Sequence, residues 1–162
     1  MRPANSPLEY QLRTMKLLLS LLVVWVALTS PPAHAEQAHI APAGLEAEDI
    51  AEIRNIILGQ LSAFREDDAE KAFSYAAPRI RQIFKTPEIF LDMVRKSYQA
   101  VYRPKSLEFR PIKRIDGNIV QPLVVVGPSG ISETALYIME EQPDGSWKIG
   151  ACIMAREPGK DT

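Results

Sequence analysis

Three tyrosines and three strand carboxylates are the residues of this chain best suited to chemistry. Tyr98, Tyr102 and Tyr137 carry phenols, and Glu108, Glu133 and Glu140 carry carboxylates within stretches of alternating polarity. A carboxylate base beside a phenol suits proton transfer next to a carbonyl. The carboxylate takes the proton while the phenol donates to the developing oxyanion. Each residue also has an ordinary role. A tyrosine packs its ring and finds one partner for its hydroxyl, and a glutamate alternating with Leu or Phe on a strand faces water. The ordinary roles outweigh the catalytic ones, and no catalytic residue is assigned. Gln121 breaks an apolar run directly before Pro122. An amide there either satisfies backbone groups that the proline leaves unpaired or is presented to a pocket. Arg103 either binds an anionic ligand or caps a helix C-terminus. Tyr98, Tyr102, Arg103, Gln121 and Tyr137 thus form the candidate ligand-binding set, convergent if Tyr102, Gln121 and Tyr137 meet.

Much other chemistry is excluded by what is missing. The two histidines are His34 and His39, both ahead of the first strong periodic segment. A Ser-His-Asp or Cys-His nucleophile needs an imidazole base, and the usual zinc sites need His or several Cys. Cys152 is the single cysteine, so no intramolecular disulfide can form; it is expected to be a buried thiol. No glycine-rich phosphate loop is present. No cofactor and no metal is expected. The formal net charge of −1 offers nothing to attract nucleic acid or an anionic membrane surface.

Met15–Ala35 sets the expected compartment. Lys16 is followed by an apolar run, Leu17–Leu28, broken only by Ser20; then come Pro31-Pro32 and Ala33-His34-Ala35. That order of positive charge, short apolar run and small-x-small site is the layout of a secretory signal, cleaved after Ala35. The run is shorter than the roughly twenty residues a spanning helix needs. No Cys follows it to accept a lipid. The mature chain is therefore expected to be soluble, periplasmic or secreted, with no stable membrane anchor. The residues before Met15 are either a long leading region or the product of an upstream start. Residues 1–35 form this leader and residues 36–45 a flexible tail. Residues 46–156 form one domain, followed by a disordered 157–162 end.

Within that domain the helical period comes first. Ile50, Ile53, Ile57, Leu61 and Phe64 predict a helix over 46–65. Asp67 with Glu70 reads as a capping box for a short second helix carrying Ala69, Ala72, Phe73 and Ala76. Ile80, Ile83 and Phe84 read as an apolar turn. Thr86-Pro87 starts a third helix that runs to Pro104. From Ser106 the period becomes two, with Pro111 marking an edge or a bulge. Asp116-Gly117, Gly127–Gly130 and Pro143-Asp144-Gly145 read as turns. Trp147, Ile149, Ala151 and Ile153 alternate along the last strand, with Trp147 in the core. The expected fold class is α+β, three N-terminal helices packed on a curved four-stranded antiparallel sheet. Residues 119–126 are apolar on both faces, so Val124 and Val126 need cover; a homodimer through the sheet face is the expected source.

The stretch from Ile53 through Gln60-Leu61-Ser62-Ala63-Phe64 to Ala72-Phe73, with Asp144-Gly145-Ser146-Trp147-Lys148-Ile149 near the end, resembles the nuclear-transport-factor-two-like superfamily. More narrowly, Thr86-Pro87-Glu88, Val101-Tyr102-Arg103-Pro104, Val120-Gln121-Pro122, Leu136-Tyr137 and Gly145 to Cys152 resemble a bacterial family of small exported proteins within it. That family is known only as a domain of unknown function. The resemblance implies a cone-shaped fold with a pocket between helices and sheet, and an export route, but no activity. Three functions fit. The first is non-catalytic binding of a small molecule in the cone, or of a protein partner. The second is a cofactor-independent isomerase or lyase using a Tyr/Glu pocket. The third is a structural homodimer with a filled cone. An empty cavity of at least about 300 Å³ lined by several polar groups favours the first two, and a packed cone favours the third. A carboxylate facing that pocket separates the second from the first.

Overall fold

The computed structural model describes Pro42 and residues 44–155. The leader, its cleavage after Ala35 and the C-terminal tail lie outside the described residues. Helix α1 (Ala47–Arg65) begins where the Glu46 amide donates to Asp49 Oδ2 at 2.9 Å. Its predicted stripe is buried: Ile53, Ile57, Leu61 and Phe64 are each no more than 1% exposed. Asp49 also accepts from the Trp147 indole at 3.1 Å, and Glu52 Oε1 accepts from the Trp147 amide at 3.2 Å. The first turns of α1 are thereby pinned across the last strand.

The turn after α1 departs from expectation. Asp67 takes a left-handed conformation (φ 57°), and Asp68, not Asp67, caps α2 (Ala69–Ser74) by accepting from the Lys71 amide at 2.9 Å. The Asp67 carboxylate is turned away to the side chains of Arg95, Tyr102 and Arg103, so it cannot also serve the helix. The segment read as an apolar turn forms α3 (Pro78–Phe84), with Pro78 in its first turn. Thr86 Oγ1 caps α4 (Pro87–Ser97) as expected, accepting from the Ile89 amide. That helix stops at Tyr98 (φ −128°, ψ 48°), and a single turn, α5 (Gln99–Tyr102), completes the set. Of the three expected helices the first is continuous, and two further short helices bring the total among the described residues to five.

The sheet is antiparallel. Pro111 splits its first edge into β1 (Ser106–Phe109) and β2 (Lys113–Ile115), both paired with β3 (Asn118–Val126). β4 (Ser132–Glu141) and β5 (Trp147–Ala155) follow in meander order, so the sheet has the expected width of four strands, with its first edge split in two. The β2–β3 hairpin turns on Asp116 and Gly117, both at positive φ (50° and 81°), the geometry that matches strand twist. One face carries Ile119, Leu123, Val125, Ala135, Tyr137 and Met139, buried under the helices. The other carries Val124, Val126, Leu136 and Ile138, all half-buried. The β5 edge is covered: Ala77 N donates to Ile149 O and Ile149 N to Tyr75 O, each at 2.9 Å.

One irregularity resets β5. Ile138 pairs with Ala151 but the next residue, Met139, pairs with Ile149, so Gly150 is an extra residue in a bulge. A side chain on Gly150 would collide with the Glu140 carboxylate. Past the bulge the facing inverts. Cys152 lies opposite Tyr137, and Ile153 is 51% exposed. The expected alternation from Trp147 to Ile153 thus holds only as far as Ile149. A glycine inside a strand is the sequence mark of such a bulge.

Candidate functional site

Between the helices and the inner face of the sheet lies a cavity of about 240 Å³, which falls short of the roughly 300 Å³ expected of a small-molecule pocket. α1 lends it Gln60 and Phe64, the next turns of chain lend Ala76, Ile80 and Phe84, and α4 lends Phe90, Met93 and Val94. Tyr98 and Val101 close one side, and Tyr137, Ile149, Ala151 and Cys152 form the floor. The walls are fixed by packing. Phe90 stacks within 6.0 Å of the Phe64, Phe73 and Phe84 rings, and the α1 stripe holds Phe64 rigidly beneath it.

Four side chains with polar groups line this apolar space: Gln60, Tyr98, Tyr137 and Cys152. Gln60 is 3% exposed and donates from Nε2 to Ala72 O at 3.2 Å. Tyr137 is fully buried; its hydroxyl has no oxygen or nitrogen partner, and the Cys152 thiol lies beside it. Burial raises its ionisation well above the usual phenol range, and the neighbouring Cys152 adds to that. Cys152 faces the same space. Burial pushes its thiol up to about 12, offset in part by Tyr137. Both groups therefore stay protonated and neutral across the physiological range. No charged side chain is among those lining the cavity.

The candidate residues separate. Tyr98 and Tyr137 line the cavity; Tyr102, Arg103 and Gln121 do not. Tyr102 and Arg103 lie at the end of α1. The Tyr102 hydroxyl donates to Asp67 Oδ1, and the Arg103 guanidinium donates to Asp67 Oδ2 at 2.8 Å and to Phe64 O at 3.0 Å, with Arg65 O as a further acceptor. Arg95 and Arg103 flank the Tyr102 ring, at 5.6 and 4.4 Å from its centroid. The bond from Tyr102, with the two guanidinium charges, holds the Asp67 carboxyl below its ordinary range. This arrangement closes the carbonyl end of α1 against α5.

Gln121 is opposite Tyr137 in the sheet and equally buried, but its amide is used elsewhere. Arg110 N donates to Pro122 O at 3.0 Å; the return bond would need the N–H that Pro122 lacks. Gln121 Nε2 supplies it instead, donating to Arg110 O at 2.7 Å and to Pro122 O at 2.8 Å. The strand carboxylates are also elsewhere. Glu108 pairs with Arg110 at 2.6 Å, Glu140 lies over Gly150, and Glu133 is not among the lining residues.

Gln60 and Cys152 were not among the candidates. Gln60 is legible as a polar residue on the buried stripe of α1, between Ile57 and Phe64. Cys152 is legible only once Gly150 is read as a bulge. Together the fold and the cavity define a class: a small α+β domain with a partly open, mainly apolar pocket between helices and sheet. The chain belongs to the family described as domain of unknown function DUF4864, whose model matches residues 46–162. No curated protein and no solved structure matches the chain significantly.

Proposed function

We propose that this chain is an exported, non-catalytic binding domain that encloses a small, chiefly apolar ligand between its helices and its sheet, in the cone arrangement of the nuclear-transport-factor-two-like superfamily. The observation that carries this reading is the unpartnered Tyr137 hydroxyl in the wall of an apolar cavity of about 240 Å³. Buried polar groups in folded proteins have partners, and one without a partner in a cavity wall is a place for a ligand. With no carboxylate among its lining residues, the cavity lacks the base that proton transfer needs, so binding is favoured over an isomerase or lyase. Export rests on the charge, apolar run and small-x-small site of residues 15–35.

The test is native mass spectrometry of the chain expressed from Met1, with toluene titrated against the purified product. The expected result is a mature N-terminus at Glu36 and a midpoint of thermal unfolding that rises with toluene. A product that keeps its leader overturns export. A midpoint that toluene leaves unmoved overturns the binding chamber.

A homodimer through the outer sheet face is a second reading for the same domain. It is favoured by the half-buried Val124, Val126, Leu136 and Ile138 and the exposed Ile153 on that face.

A further inference from the structure

We propose that the ligand of this chamber is an uncharged molecule on the order of ten heavy atoms whose single carbonyl-type oxygen accepts a hydrogen bond from the Tyr137 hydroxyl. The inference rests on the binding reading above and names the chemistry of its ligand. Its size follows from a volume of about 240 Å³, larger than a benzene-sized cavity and smaller than a drug-sized one.

Three observations carry the class. The first is the absence of charge. Phe64, Phe90, Val94 and Val101 wall the space, and no Lys, Arg, Asp, Glu or His lines it. A carboxylate or an ammonium set against those walls would lose much of its water with no counter-charge, a costly form of burial. The second is the number of free donors. Gln60 commits one of its two amide N–H groups to Ala72 O at 3.2 Å and Tyr98 sits half-buried in the wall, while the fully buried Tyr137 hydroxyl has no oxygen or nitrogen partner. A phenol O–H is a strong donor and the Cys152 S–H a weak one, so a ligand is oriented by the phenol. The third is the fixed position of that phenol. Tyr137 is 0% exposed, lies at the middle of β4 and is flanked in register by Gln121 and Cys152. Its ring cannot swing out to water, so the hydroxyl waits for an acceptor brought by the ligand. The elevated ionisation of Tyr137 and Cys152 keeps both as donors throughout the physiological range.

Three probes of equal heavy-atom count test the class: cumene (no acceptor), acetophenone (one carbonyl) and benzoate (charged). Binding of each is measured by calorimetry at neutral pH to the wild-type chain and to Tyr137→Phe. Cumene and acetophenone bind the wild type, and benzoate does not. Tyr137→Phe weakens acetophenone by about tenfold, the loss of one hydrogen bond, and leaves cumene within about twofold. Cumene binding to the variant also reports that its chamber is intact. The carbonyl stretch of bound acetophenone is red-shifted in the wild type and returns toward its value in hydrocarbon in the variant. Equal losses for cumene and acetophenone, or no loss for either, overturn the carbonyl inference and leave the chamber standing. Benzoate binding as tightly as acetophenone overturns its neutrality. If neither neutral probe binds the wild type, the chamber reading itself fails and takes the ligand class with it.

Discussion

A buried hydroxyl without a partner destabilises the protein that carries it, which makes Tyr137 informative in the ligand-free state. Replacing it with Phe removes the stranded group and keeps the ring. Tyr137→Phe should therefore raise stability by about 1 kcal/mol, read as a higher urea midpoint with an unchanged slope. A fall in the midpoint would mean that the hydroxyl has a partner within the protein. Cys152 makes a prediction in pH. Its thiol moves from an ordinary 9.0 to about 12 on folding. Between those values the folded chain keeps a proton that the unfolded chain has lost, so this contribution is whole below about pH 9 and drains away as pH rises toward 12. Tyr137 shifts in the same direction and steepens the fall. Thermal midpoints followed from neutral to alkaline pH should decline less in Cys152→Ala than in the wild type. Of the five candidate ligand residues, Tyr98 and Tyr137 line the chamber. Composition marked them as phenols beside apolar neighbours. What it could not carry is the direction of each side chain, which separates Tyr137 from Tyr102.

At the level of elements, the junction of the split edge with β3 is held by an unusual exchange. The Gln121 amide stands in for the N–H that Pro122 cannot offer to Arg110 O. Gln121→Leu should cost about 1 kcal/mol by removing the bond to that carbonyl. Pro122→Ala restores a backbone donor, so the same Gln121→Leu change should cost less in that background. A double-mutant cycle by urea unfolding measures the difference, and strict additivity would show that the two residues act separately. The sequence pairing of Gln121 with Pro122 already suggested this use. Other elements were legible for equally local reasons: the period of α1, the Thr86-Pro87 start of α4 and the Asp116-Gly117 hairpin each rest on neighbouring residues. Those that were misread depend on distant partners. Asp67 leaves its cap because residues from α4 and α5 draw its carboxylate away, and the β5 alternation inverts because Gly150 yields to Glu140. Helix α3 has the helical spacing Ile80, Ile83, Phe84, but at seven residues it is short enough to read as a turn.

At the level of the whole molecule, the two faces of one sheet have unequal cover. The inner face is closed by helices, while Leu136, Ile138 and Ile153 on the outer face meet water in the single chain. If a second copy supplies the cover, sedimentation should give a dimer mass, and Leu136→Lys with Ile153→Lys should return a folded monomer. A wild-type monomer at every concentration would remove the homodimer. The chamber on the other side is bounded by unequal walls as well. α1 brings deeply buried residues to it, whereas α3 lends Ile80 and Phe84 from a helix with no buried residue, between Ala77 and the left-handed Lys85. Opening at that wall is a local event, costing far less than unfolding the domain. A guest bound as proposed would meet its lowest barrier at these seven residues, so its exchange would be quick even where unfolding of the whole domain is slow.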